Sequence, residues 1–377
     1  MADERRLLSA CICALVVFAL SIDAWAEQGL TNCAEQFPGA STTNAPAVAA
    51  TVSTPASGNV QVCRRSGNAS FFALEYDPQR YAPLWVAYRI ADTFGEGGCA
   101  SMTRGDMQCH FKADNVAACR KSKKGAPDPF HSDPLLAALK KPRLGTGAFG
   151  GTGHDRGHMA PNNAFSWHAC GAYKTFTMAN MAAQWGSLNR ALWANLEAQV
   201  LFWGVKTGPV YVATGPIWKR FPAERFKAIQ EGLVDAKRFA KSGERLVKLD
   251  GKKLSQNIPR PTGFYMVVFS PGTADQPGRA IAFLAPHTKQ EKLSFWYFLA
   301  TVTLVEEASG LRFGFADEFK QWPDLSYWQA LGHKAPSGWD IRGGCKTKPA
   351  EPPVPGWMAD RPVKERIAMC SSSDPVN

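Results

Sequence analysis

Beyond residue 70 the chain alternates short runs dense in aromatic and β-branched residues with longer polar stretches. Phe71-Phe72-Ala73-Leu74-Glu75-Tyr76 and Leu84-Trp85-Val86-Ala87-Tyr88-Arg89-Ile90 flank an Asp77-Pro78 turn, which predicts a β-hairpin. Further strands are predicted at 210–216, 263–269 and 280–284, and a run at 299–304 leads into a helix holding Glu306, Glu307 and Leu311. The period changes between 188 and 202. Leu188, Leu192 and Leu196 form one stripe there, while Asn189, Trp193 and Glu197 step by four along the next. A helix is predicted, with Asn189 and Glu197 on nearly the same side two turns apart. With no internal repeat, the apolar strands read as one sheet in one domain with extensions.

The intervening stretches have their own signatures. Arg5 and Arg6 precede an apolar run at 7–20 and an Ala24-Trp25-Ala26 site, the pattern of an export signal cleaved before Glu27. The run is shorter than the ~20 apolar residues of a membrane span. Residues 27–69, rich in Ala, Ser, Thr and Pro, read as a low-complexity arm; 70–319 as the ordered domain; and 320–377 as a Pro/Gly-rich extension. The region 92–134 reads as irregular and disulfide-bound, with a basic cluster at Arg120, Lys121, Lys123 and Lys124. Gly145, Gly147, Gly150, Gly151 and Gly153 allow close backbone approaches, without a Walker or dinucleotide pattern. Residues 219–260, with twelve basic and five acidic residues, read as a partly helical basic segment.

Cys11 and Cys13 fall within the leader, which leaves eight cysteines and an expectation of disulfides outside the cytosol. None has zinc-ribbon spacing. Connectivity stays open, with Cys33–Cys63 and Cys345–Cys370 as local pairs. The formal charge is +11, and removal of a leader with Arg5 and Arg6 against Asp3, Glu4 and Asp23 makes it +12. That excess suits a polyanionic partner, and equally simple solubility, until a site decides.

The stretch from Asp155 to Glu197 provides one. Phosphodiester hydrolysis needs a base for water, positive charge for the transition state and help for the departing oxygen. His158 has the side chain whose ordinary pKa lies nearest neutrality, and Arg156 offers a fixed fork of donors to phosphate. Asn189 offers a neutral carbonyl oxygen suited to magnesium or calcium, and Glu197 can orient water around the ion. Each residue alone is more often structural than catalytic, so the combination carries the argument.

That combination is Asp155-Arg156-Gly157-His158-Met159-Ala160-Pro161 with Thr175-Phe176-Thr177-Met178-Ala179-Asn180, Gln184, Leu188-Asn189, Trp193 and Leu196-Glu197. It resembles the DNA/RNA non-specific endonuclease family, the likeness covering residues 71–315. The resemblance implies an α+β, ββα-metal (His-Me finger) nuclease with a central antiparallel sheet flanked by helices. It implies His158 as general base, Asn189 as the direct Mg2+ ligand, and Glu197 as holder of a metal-bound water. Arg156 would bind phosphate and Asp155 brace the motif, with Asn180 and Gln184 in support near the substrate. Products with 5′-phosphate and 3′-hydroxyl ends are implied. So are DNA and RNA as partners, held mainly through phosphate, with a homodimer left open and no membrane span after signal cleavage.

Two departures qualify the likeness. Ala183 stands where the family commonly has proline, although the nine-residue step from Asn180 to Asn189 is kept. The family also uses an upstream arginine on phosphate, for which Arg120 is the candidate and Lys124 its rival. A zinc pair of His154 and His158 is the competing enzyme reading, and it lacks the glutamate of the zinc-protease helix motif. A catalytically inactive nucleic-acid-binding or envelope protein is the non-enzyme reading. The expected location is secreted or periplasmic.

Overall fold

The computed structural model describes residues 30–37, 58–67, 69–90, 104–113, 116–121, 128–271, 277–289, 293–332 and 361–371. The expected leader lies outside them. The strands, in chain order, are β1 (Val60–Ser66), β2 (Ala69–Asp77), β3 (Ala82–Ile90), β4 (His154–His158), β5 (Met181–Trp185), β6 (Val210–Ile217), β7 (Gly263–Ser270), β8 (Arg279–Pro286) and β9 (Leu299–Ala300). Seven of them form an antiparallel sheet in the order β1-β2-β3-β6-β7-β8-β9, and β4 and β5 pair as a separate ribbon. The helices used below are α1 (Arg104–Lys112), α2 (Val116–Lys121), α3 (Pro134–Ala138), α4 (Ala169–Thr175), α5 (Ala194–Thr207), α6 (Val302–Ser309), α7 (Leu325–Ala330) and α8 (Val363–Ser371).

The sheet is covered on both faces. All eight residues of β7 are buried, as its unbroken apolar run requires. Strand alternation sends adjacent residues to opposite faces. Phe264 meets Trp193, just before α5, with ring centroids 5.7 Å apart, while Tyr265 meets Phe313, beyond α6, at 6.2 Å. The expected α+β architecture with a helix-flanked antiparallel sheet is therefore present.

The expected hairpin is β2–β3, its turn held by Asp77 Oδ1 accepting from the backbone N–H of Gln79 at 2.7 Å. The expected domain start at 70 is too late: β1 is a strand of the main sheet, and the Cys33–Cys63 disulfide ties the preceding turn to it. The run at 299–304 contributes only two strand residues, because Thr301 Oγ1 caps α6 by accepting from Leu304 N–H at 3.0 Å. The basic segment contains only short helical turns, and from Arg245 onward it is a β-bridged tongue.

The C-terminal residues are part of the body. Trp328 in α7 is buried against Trp203 of α5, and Gly332 O accepts from Gln199 Nε2 at 2.8 Å. Cys370 of α8 bonds to Cys170 of α4, which corrects the expected Cys345–Cys370 pair. Cys345 and Cys99 lie outside the described residues. Cys109 and Cys119 join α1 to α2.

Candidate active site

The site grows from the β4–β5 ribbon and the helix that follows it. Antiparallel pairing sets Asp155 opposite Gln184 and Gly157 opposite Ala182. Gly157 is required by space: a Cβ there would lie 2.5 Å from Gln184 Oε1 and 2.7 Å from Gln184 Cβ. The ribbon is pinned to the sheet by His287, whose Nε2 accepts the Trp185 backbone N–H at 3.0 Å while its Nδ1 donates to Pro261 O at 2.7 Å.

After β5 the chain enters a π-helical turn, Leu188–Trp193, before α5. This differs from the continuous α-helix expected, and it improves the alignment of the site. In an α-helix, residues eight apart point about 80° away from each other, whereas a one-residue bulge reduces that to about 20°. The π turn thus turns Asn189 and Glu197 toward the same side. The four-residue step of Leu188, Leu192 and Leu196, all buried, keeps one stripe on the core through that wider turn.

A cleft of about 910 Å³ runs along β4, lined by His154, Asp155, Arg156, His158, Asn189 and Arg190, with Asp128, Phe130 and the glycine loop closing it. Asp155 organises one wall. Its Oδ2 accepts from Asn189 Nδ2 at 3.0 Å and Arg190 Nε at 2.8 Å, and its Oδ1 from Arg190 Nη2 at 2.6 Å. Because a carboxylate only accepts, the Asn189 amide must turn its nitrogen to Asp155 and its oxygen away. On the other wall, the Arg156 guanidinium lies 3.7 Å from the Phe130 ring centroid, donates to Thr146 O at 3.1 Å and pairs with Asp128 Oδ2 at 2.7 Å. The His158 ring packs edge-on against Phe176, with centroids 5.1 Å apart, and lies 5.4 Å from Phe130.

Glu197 is half-buried and is not among the residues that line the cleft. Burial pushes its carboxyl up to about 8, partly opposed by the Trp193 side chain, and its charge adds to the burial that raises the Tyr88 phenol. A hard, largely hydrated divalent cation fits the one neutral amide oxygen that Asn189 offers to the cleft.

The predicted residues therefore divide. Asp155, Arg156, His158 and Asn189 share the cleft, and Glu197 does not line it. The expectation that Asn180 and Gln184 contact substrate is not met, since both are fully buried. Asn180 Oδ1 accepts from Ala160 N–H, and its Nδ2 donates to Ala160 O and Thr175 O, all at 2.9 Å. It fixes the backbone just after His158. Arg120 falls in α2, but its side chain and all of Lys124 lie outside the described residues. The described charged residue that lines the cleft from that upstream region is the acidic Asp128. The second cleft cation is Arg190, which sequence reasoning passed over although it adjoins Asn189. The zinc reading fails on geometry: His154 and His158 end a five-residue strand, about 13 Å apart. Among the described residues no three His, Cys, Asp or Glu form a metal cluster.

Histidines elsewhere, His287 buried and His131 and His168 half-buried, should make the body acid-sensitive. Burial depresses His131 and His168 to about 4, and His287 well below 6.5 with His154 and Arg260 adding to it. His168 Nδ1 accepts from the Cys170 and Gly171 N–H groups that begin α4, a bond that protonation there would break. Depressed folded-state values mean that the stability from neutral rings is complete above about pH 6.5 and lost as pH falls toward 4, with a slope of up to about 1.4 kcal/mol per unit for each ring. Denaturant unfolding at pH 7, 5.5 and 4.5 should show this decline; a flat profile would contradict it.

Comparison with known proteins gives a consistent assignment. The family described as DNA/RNA non-specific endonuclease matches residues 49–319. Mitochondrial endonuclease G of Bos taurus is 26% identical over 242 residues, 64% of this chain and 66% of that protein. Nuclease C1 of Cunninghamella echinulata var. echinulata is 31% identical over 186 residues, 49% of this chain and 65% of that protein. The chain thus spans just under two thirds of each relative's length. A solved complex of EndoG with EndoGI aligns with a TM-score of 0.47 and 23% identity, covering 67% of this chain and 86% of that one.

Proposed function

Because the chain belongs to the DNA/RNA non-specific endonuclease family, we propose that it hydrolyses internal phosphodiester bonds of DNA and RNA, with His158 as general base and a single Mg2+ at Asn189. The observation that carries this reading is Asp155 holding Asn189 and Arg190 together on one wall of the cleft that Arg156 and His158 also line. Asn189 Oδ1 would ligate the ion directly, and Glu197 would engage its hydration shell. When bound, the ion supplies positive charge to the phosphate and the departing oxygen.

The protein's own groups account for the remaining steps. Arg156 and Arg190 take non-bridging phosphate oxygens, for which Arg156 must exchange its contact with Asp128. His158 accepts the proton of the attacking water as the new phosphorus–oxygen bond forms. The bond to the 3′-oxygen breaks and that oxygen takes a proton from solvent water, giving 5′-phosphate and 3′-hydroxyl ends. Contacts to phosphate, which every nucleotide shares, make cleavage independent of sequence. The relatives, mitochondrial endonuclease G and nuclease C1, are nucleases by name, which supports the nuclease reading.

The test is purified protein with plasmid DNA and with RNA, in magnesium and in EDTA. Cleavage of both polymers only with magnesium is expected, with ends that accept ligation without prior phosphorylation. No cleavage of either would leave an inactive binding protein of the same fold. Export is proposed from the leader pattern, and the three disulfides among the described residues fit an oxidising compartment. A mature protein beginning at Glu27 is the expected result of N-terminal sequencing.

A further inference from the structure

The basic tongue at 241–260 has no part in the chemistry above, yet it rests on the rim of the cleft. Its base is anchored by Leu246 and Ile258, both buried, with Leu246 N–H donating to Ile258 O at 2.9 Å. Bridges pair Arg245 with Pro259 and Val247 with Lys253, and Lys248 N–H closes the tip on Lys252 O at 2.8 Å. The tip docks on the glycine loop through Leu249 N–H to Gly151 O at 2.6 Å, so Lys248 stands directly above a cleft-lining residue.

A second basic element adjoins it. The Trp185 ring stacks on His154 of the cleft, with centroids 4.2 Å apart, and holds Arg260 and Lys289 over its face at 5.1 and 4.9 Å. Glu244 is taken by Arg260 at 2.6 Å, and Asp250 lies 3.7 Å from Lys252. Among the described residues no carboxylate pairs with Lys248, Lys253 or Lys289, all exposed. Leu249 is 74% exposed at the same tip. A folded protein gains nothing internally from unneutralised lysines around a solvent-facing leucine. A polyanion with apolar ring faces complements both.

We propose that the tongue and the Trp185 platform form a second nucleic-acid contact surface, which holds the strand beyond the scissile phosphate. Lys248, Lys253 and Lys289 take backbone phosphates, and Leu249 lies against a sugar or base. This deepens the nuclease reading and rests on it.

The test uses the whole protein and a fluorescein-labelled 30-base-pair DNA duplex in EDTA, where binding is read by anisotropy without cleavage. The combined variant Lys248→Glu, Lys253→Glu, Lys289→Glu is compared with the charge-matched Lys206→Glu, Lys227→Glu, Lys364→Glu, whose positions lie outside the cleft wall and the tongue tip. Overlapping thermal transitions establish that both variants fold. Each phosphate contact contributes about 0.9 to the slope of log affinity against log salt. The tongue variant should lower that slope by about 2 to 3 and weaken binding at least tenfold at physiological salt, with the control slope near wild type. An unchanged slope in the tongue variant, or an equal loss in the control, overturns the proposal. Cleavage is scored separately: wild-type protein that binds with the tongue-dependent slope yet cuts neither DNA nor RNA sinks the nuclease reading alone.

Discussion

With His158 replaced by alanine, kcat for plasmid cleavage should fall by about 10² to 10⁴-fold, the usual contribution of a positioned general base. The imidazole is held by Phe176 and Phe130 and is partly exposed on the cleft wall. Its removal leaves the Arg156 contacts with Thr146 and Asp128 intact, and on the opposite wall the Asp155–Asn189–Arg190 set untouched. Substrate affinity should therefore change little, and the loss should fall on kcat rather than KM. Steady-state cleavage of a labelled oligonucleotide, with thermal unfolding as a fold check, measures this. A variant that keeps more than about a tenth of wild-type kcat would remove His158 from the role of base.

Replacing Asp133 by alanine should destabilise the protein by about 3–5 kcal/mol, the cost of removing one partner of a buried ion pair. Asp133 is fully buried and pairs with Arg64 of β1. The same carboxylate accepts from Thr177 Oγ1 at 2.6 Å and from Leu136 N–H, the N-cap bond of α3, at 2.9 Å. Its pKa is held below the usual value despite burial, chiefly by the Arg64 charge and the Thr177 hydroxyl. One side chain thus joins the sheet edge, a helix start and the approach to β5. Nearby, His131 exchanges backbone bonds with Phe176 and Met178, which places Phe130 against His158. Denaturant titration of Asp133→Ala, with Asp133→Asn keeping the shape, measures the effect. A loss under about 1 kcal/mol would mean that solvent reaches the Arg64 guanidinium.

Elements that bury their own apolar runs were legible from sequence. β2, β3, β6, β7 and β8 coincide with such runs because a doubly covered sheet leaves few polar positions in its central strands. β1 was missed because it carries Arg64 and Arg65, and Arg64 is buried against a carboxylate partner 69 residues away. The Cys170–Cys370 bond has the same character, since the local candidate Cys345 gave no hint of a partner 200 positions distant.

In the site, His158, Arg156 and Asn189 were singled out by residue type together with the family resemblance, and the structure brings all three to one cleft. Asn180 and Gln184 were placed one layer too far outward, because spacing along a chain does not distinguish a side chain that meets solvent from one beneath it. Asp128 and the π turn were invisible for a related reason. Both depend on how separate segments dock, and neither leaves a period in the sequence. Arg190 was within reach, as the next residue after a predicted ligand.

The bond between Cys170 and Cys370 closes a covalent ring that contains β5, α5, the tongue and every later strand. In the proposed exported location, exposed loops would meet proteases, and the tongue tip would offer Lys248, Lys252 and Lys253 to trypsin-like ones. A single nick there opens the ring without releasing a fragment. The clipped protein would keep its mass on a non-reducing gel and split in two only after reduction, so damage to the strand-holding surface could accumulate in molecules that still look whole.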